Sequence, residues 1–137
     1  MDVFPAGTES VRSTRRELER HVTFRENHVH IQLEPYEVIT TEMAQVLLFR
    51  AIELCGEHGF LRILVEGFST VHRMDIGSVA ALLKRVSLIS GLKLACCLGS
   101  GPRDAVTEQF VQLAGEQGAA VRYFTSHDKA LEWLGAK

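Results

Sequence analysis

The stretch Val71-His72-Arg73-Met74-Asp75-Ile76-Gly77-Ser78 brings together residue types that do chemistry. An acidic residue and a Gly-Ser pair stand before the apolar run Val79–Leu83, the pattern of a strand giving way to a helix. The free N–H groups of such a helix start would bind an anion or a polar headgroup. Asp75 would oppose an anion there, so the sequence is read as a helix that Asp75 caps, with Gly77 permitting close approach or an unusual backbone angle. Ser69, His72 and Asp75 carry the letters of a hydrolytic triad, but no Gly-x-Ser-x-Gly elbow presents a nucleophile.

Other stretches yield less chemistry. Gly99-Ser100-Gly101 suggests a nucleotide loop, but a dinucleotide fingerprint needs Gly or Ala where Asp104 stands, and a phosphate loop needs Gly-Lys-Ser/Thr. It is read as a turn, with Pro102 and Asp104 opening a helix. His28 and His30 share a strand face at the spacing of two metal ligands; no third ligand follows, so they are read as an exposed hairpin face. Cys96 and Cys97 are adjacent on a strand and point to opposite faces, which argues against a shared metal or a redox pair. No catalytic constellation, metal site or cofactor is expected.

The elements that must position these residues follow from apolar period and punctuation. Val22–Phe24 and Val29–Leu33 alternate about the polar Arg25–His28 turn, an antiparallel hairpin. Thr40–Met43 starts a helix carrying Met43, Val46, Leu47, Arg50, Ala51 and Leu54 at helical spacing, and Gly59 stops it. Leu48 falls off that stripe, the mark of a broad core face or of an apolar lip for a lipid-like ligand or partner. Leu61–Val65 reads as a buried strand, Ser69–Arg73 as a polar connection and Gly77–Ser90 as an amphipathic helix through Val79, Leu82, Leu83 and Val86. Leu92–Leu98 is a second buried strand. A helix through Ala105, Phe110, Val111 and Leu113, a strand Val121–Phe124 and a short helix Ala130–Leu134 complete the chain. Alternating helices and short apolar strands define an α/β fold with a mostly parallel central sheet, an N-terminal antiparallel hairpin and helices packed against it.

Bulk properties narrow the classes. The chain is 46% hydrophobic and 23% charged with a net charge of −2, an ordinary globular balance without the cationic surface that nucleic acid or an anionic membrane requires. No apolar run spans a bilayer, and Met1–Gly7 lacks the basic and apolar regions of a secretory signal, so a cytoplasmic location is expected. Three cysteines in apolar stretches are read as reduced core thiols. Residues 1–20 are read as a tail or short helix and 21–137 as one domain.

The hairpin, the long helix, the Ile63-Leu64-Val65-Glu66-Gly67 strand, the acidic residue opening the second helix and the ending Val121–Leu134 resemble the STAS domain superfamily. The match is nearer to its SpoIIAA-like (STAS/SEC14-like) branch, whose members end in an aromatic strand, a polar turn and Ala-x-x-Trp-Leu, here Tyr123-Phe124, Thr125–Lys129 and Ala130–Leu134. Phosphorylatable members carry Asp-Ser-Ser/Thr-Gly at the second-helix start, with the acceptor two residues after the Asp. Here that place is Gly77, which cannot be phosphorylated, and Ser78 stands one position late.

The resemblance implies a non-enzymatic binding or regulatory module. Its working surface would be the second-helix start and the preceding Gly67–Arg73 loop: Ser69, Thr70, His72, Arg73, Asp75, Gly77 and Ser78. A protein partner or a second copy would dock there. The alternative that the SEC14-like likeness implies is a carrier or sensor of a small apolar or lipid-like molecule. A weaker rival is a nucleotide binder or remnant enzyme using Gly99–Asp104.

Overall fold

The computed structural model describes residues 17–68, 71–98 and 105–136, leaving aside the side chains of 71, 72 and 105–107. In chain order these form β1 (Val22–Arg25), β2 (His28–Gln32), β3 (Val38–Thr40), α1 (Thr41–His58), β4 (Arg62–Glu66) and β5 (Val71–Arg73). There follow α2 (Ile76–Ser87), β6 (Lys93–Cys97), α3 (Ala105–Glu116), β7 (Ala120–Tyr123) and α4 (His127–Leu134). Ahead of β1, Leu18 packs against the core from a helical turn at 17–19.

Five strands make one sheet in the order β1-β2-β4-β6-β7. β1 runs antiparallel to β2, and every other neighbouring pair in this sheet is parallel. From β2 each crossover adds the next strand on the same side, so successive crossover helices share one face. That face carries the main core, where Val29, Ile31, Ile63 and Leu94 meet Leu47, Ala51, Leu82 and Leu83. Among the described elements, the opposite face is covered by α4, over Leu64 and Ala95 with Ala130 and Leu134 of the helix. Ile63 and Leu64 are both 0% exposed, so β4 is dry on both sides, and each side chain contributes about 1.5–3 kcal/mol of burial.

Two elements differ from the sequence reading. β3 and β5 pair in parallel as a separate two-stranded ribbon, so the segment read as a polar connection contains a strand, Val71–Arg73. Three residues are too few to show a period, and neither strand has an apolar run to announce it. His28 and His30, expected on an exposed face, are 8% and 2% exposed. Their face of the hairpin lies on the α4 side of the sheet, which strand alternation alone does not reveal. Leu48 lies in the core, and its neighbour Phe49 is the residue left outside, with Arg85 over its ring.

The end of α1 separates two uses of glycine. Gly59 takes the left-handed conformation (φ 77°) and donates to Cys55 O, closing the helix. Gly56 sits inside the helix with open space where a Cβ would stand. One substitution therefore has opposite signs three residues apart. Gly56→Ala raises stability by about 0.5–1 kcal/mol, and Gly59→Ala lowers it by about 1 kcal/mol. Urea midpoints of the two variants check both signs.

Candidate functional site

The start of α2 is held by Asp75. Its Oδ2 accepts from the Ser78 backbone N–H and from Ser78 Oγ, both at 3.0 Å. Its own N–H donates to Thr41 Oγ1 at 3.1 Å, tying this helix start to that of α1. The Ser78 hydroxyl is thus spent within the cap. Gly77 has no left-handed backbone angle, and a Cβ added there would meet only Asp75 Oδ2 at 3.4 Å, an ordinary contact. The unusual conformation expected of Gly77 is not used. Arg73 is exposed opposite Thr40 in the ribbon, and the His72 backbone pairs with Ile39. Ser69, Thr70, the His72 side chain and the Gly99–Asp104 turn lie outside what is described.

Around the ribbon, large apolar side chains face water. Tyr36 (68% exposed), Val38 (45%), Phe68 (46%) and Ile76 (44%) occupy β3 and the segments flanking β3 and β5. Tyr36 is a non-glycine residue at φ 61°, a conformation costing about 1–2 kcal/mol. Its N–H donates to Phe68 O at 2.8 Å, and the two rings meet edge to face at 5.8 Å. The strain holds an aromatic pair out in solvent.

Below the ribbon, between the sheet and the three crossover helices, lies a cavity of about 90 Å³. Several of its lining residues, Leu33, Val65, Leu98 and Tyr123, stand at the carboxyl ends of the parallel strands, where open α/β sheets place their ligands. Leu33, Leu48, Val65, Met74, Leu98 and Phe110 are among its lining residues. Cys96 also lines it; burial pushes that thiol up to about 12, so it stays neutral and unreactive. Met74 links this cavity to the α2 start, one residue before Asp75.

The third cluster lies under α4. Glu66 Oε1 takes His30 Nε2 at 2.6 Å, and Oε2 takes His127 Nδ1 at 2.7 Å. His28 Nδ1 meets Asn27 Oδ1 at 3.0 Å. Burial works against the Glu66 charge, yet the hydrogen bonds from His127 and His30 outweigh it and hold the carboxyl below its usual range. Burial pushes His28 and His30 below the ordinary imidazole value, against the pull of Glu66. Among the described residues, no group of three or more His, Cys, Asp or Glu side chains gathers as a metal site.

Sequence reasoning named the His28–His30 pair but missed Glu66 and His127. Glu66 was legible only as the end of a buried strand, in register with Gln32, two residues past the His30–Leu64 pair. The exposed aromatics were missed because a lone Tyr or Phe in a loop carries no period. No protein-family model matches this chain, and no curated protein matches it. Fold and geometry define an α/β protein with a mixed, mostly parallel sheet, in which no described helix is long and apolar enough to cross a membrane.

The cap predicts a contrast at two adjoining positions. Asp75→Ala removes both hydrogen bonds to Ser78 and costs about 1 kcal/mol. Gly77→Ala, at a helical backbone with room for a methyl, is neutral or gains up to about 1 kcal/mol. Thermal unfolding of the two variants measures the difference.

Proposed function

We propose that this chain is a non-catalytic, STAS-type binding module that works by contact with a partner protein through the α2 start and the β3–β5 ribbon. The observation that carries the reading is the exposure of Tyr36, Val38, Phe68 and Ile76 on and beside that ribbon. Exposed apolar side chains gathered about one ribbon, with Tyr36 and Phe68 in contact, suit a contact site, and rigid aromatic side chains act as anchors in such sites. Tyr36, held edge to face against Phe68, is ordered in advance, so little rotamer freedom is lost when a partner covers it. With Gly77 at the acceptor place and the Ser78 hydroxyl turned into the cap, contact at this surface does not depend on phosphate. A partner retained by the wild type is expected to bind Tyr36→Ser/Phe68→Ser about 30-fold more weakly, the loss of roughly 2 kcal/mol typical of an aromatic anchor. Leu88→Ser, at an exposed residue beyond the far end of α2, leaves binding unchanged. Equal affinity of the purified partner for wild type and double variant refutes the surface.

The apolar cavity favours a second reading, a sensor of a small apolar molecule. Its size limits the guest. At about 10–15 Å³ per water-sized sphere, about 90 Å³ holds six to nine such spheres, an aromatic ring or a short alkyl chain rather than a whole lipid. Native mass spectrometry of gently purified protein is expected to show an adduct of that size, which Ala44→Phe, filling the cavity wall, removes. A clean unliganded mass for wild type, with no thermal shift on adding benzene or hexanol, counts against it.

A further inference from the structure

We infer that His28 and His30, buried on the α4 side of the sheet and joined to the helix through Glu66 and His127, form an acid-operated latch that frees α4 from the sheet as pH falls below neutral. Glu66 accepts from His30 Nε2, so that nitrogen bears the hydrogen of the neutral ring and Nδ1 is a bare lone pair. His30 Nδ1 is buried and has no hydrogen-bond partner among the described residues. Taking up a proton would put a buried N–H at Nδ1 where no described group accepts it.

The groups facing this pair come from every neighbouring element. Arg25 on β1 and His127 on α4 oppose a charge on either imidazole, His30 opposes a charge on His28, and Glu66 on β4 favours one. Arg62 on β4 adds a cation close by, its guanidinium donating to Asn27 O. Burial is the largest influence on both rings, and it keeps them neutral while α4 is docked.

Once α4 lifts away, both rings meet water and take up protons more readily, nearer the ordinary imidazole value of about 6.5. A histidine depressed in the docked state contributes stability that is complete above that value. The contribution is lost as pH falls from there toward the docked-state value. Two such residues tilt the docking equilibrium by up to about tenfold per pH unit for each proton taken up. The remaining hold on α4 is small. Ala130 and Leu134 over Leu64 and Ala95, with Leu131 and Trp133 partly buried beside them, make its contact with the sheet, and His127–Glu66, Lys93→Trp133 O and Asn27→Ala136 O are single hydrogen bonds. An eight-residue helix has little stability of its own.

The chain carries its own reporter, because Trp133, its one tryptophan, lies in α4 against Phe124 with Lys93 over its ring. The test follows Trp133 emission and hydrogen exchange of peptides covering 127–136 from about pH 8 to pH 5. Emission is expected to move to the red below about pH 6.5 while these peptides lose at least about tenfold protection and β2, β4 and β6 keep theirs. His30→Gln, which keeps a donor to Glu66 but cannot titrate, is expected to remove the transition or move it down by about a pH unit or more. A flat wild-type profile, an unchanged transition in His30→Gln, or simultaneous loss of protection across the whole sheet overturns the latch. Should His30→Gln fail to fold, His28→Gln must lower the steepness of the transition from about two protons to about one; an unchanged steepness overturns it equally.

Discussion

Strand β4 is desolvated on both faces, and the two layers of the protein meet there. Ile63 and Leu64 are neighbours in the chain that point into different cores, one shared with the crossover helices and the other with α4. A polar residue at either position would be stranded without water. The strand can be this apolar only because its two ends are not. Arg62 and Glu66 stand four residues apart on the α4 side, where they meet opposite ends of the helix that covers them.

That arrangement explains how so short a helix holds its place. Glu66 binds His127 at the amino end of α4, where an anion suits the helix dipole. At the carboxyl end, Lys93 donates to Trp133 O, and the Arg62 guanidinium lies beside Gly135. α4 therefore runs against the direction of the parallel strands beneath it. Arg62 and Lys93 are adjacent across the β4–β6 pair, where like charges would repel. Each instead directs its charge to a backbone carbonyl. The same electrostatic fit leaves His28 and His30 as the unsettled part of the layer.

The sequence was informative where a residue pattern repeats or a cap is needed. The Thr40 cap, the left-handed Gly59, the Val79–Val86 stripe and the Asp75 cap are all local physics, and they appear where the residues put them. Which face of the hairpin α4 would cover is a tertiary choice, decided by the path of the chain after β7. No period in Val22–Leu33 encodes it, so the burial of His28 and His30 could not be read. The ribbon was hidden for a related reason: the parallel pairing of Val38–Thr40 with Val71–Arg73 joins positions more than thirty apart through three-residue strands. Of the candidate surface, the α2 cap was legible, whereas the aromatics that give the surface its apolar character were not.

The hydrogen bond from Asn27 to the Ala136 carbonyl spans 109 positions. The hydrogen-bonded and charged anchors of α4 at Asn27, Arg62, Glu66 and Lys93 lie far upstream of the helix. During synthesis the sheet can therefore assemble with its main core filled while Leu64 and Ala95 still face water. Until residues 127–136 emerge, the nascent chain is a half-covered sheet of the kind that chaperones and other strands recognise. Docking of α4 over Leu64 and Ala95 decides when this sheet stops being sticky.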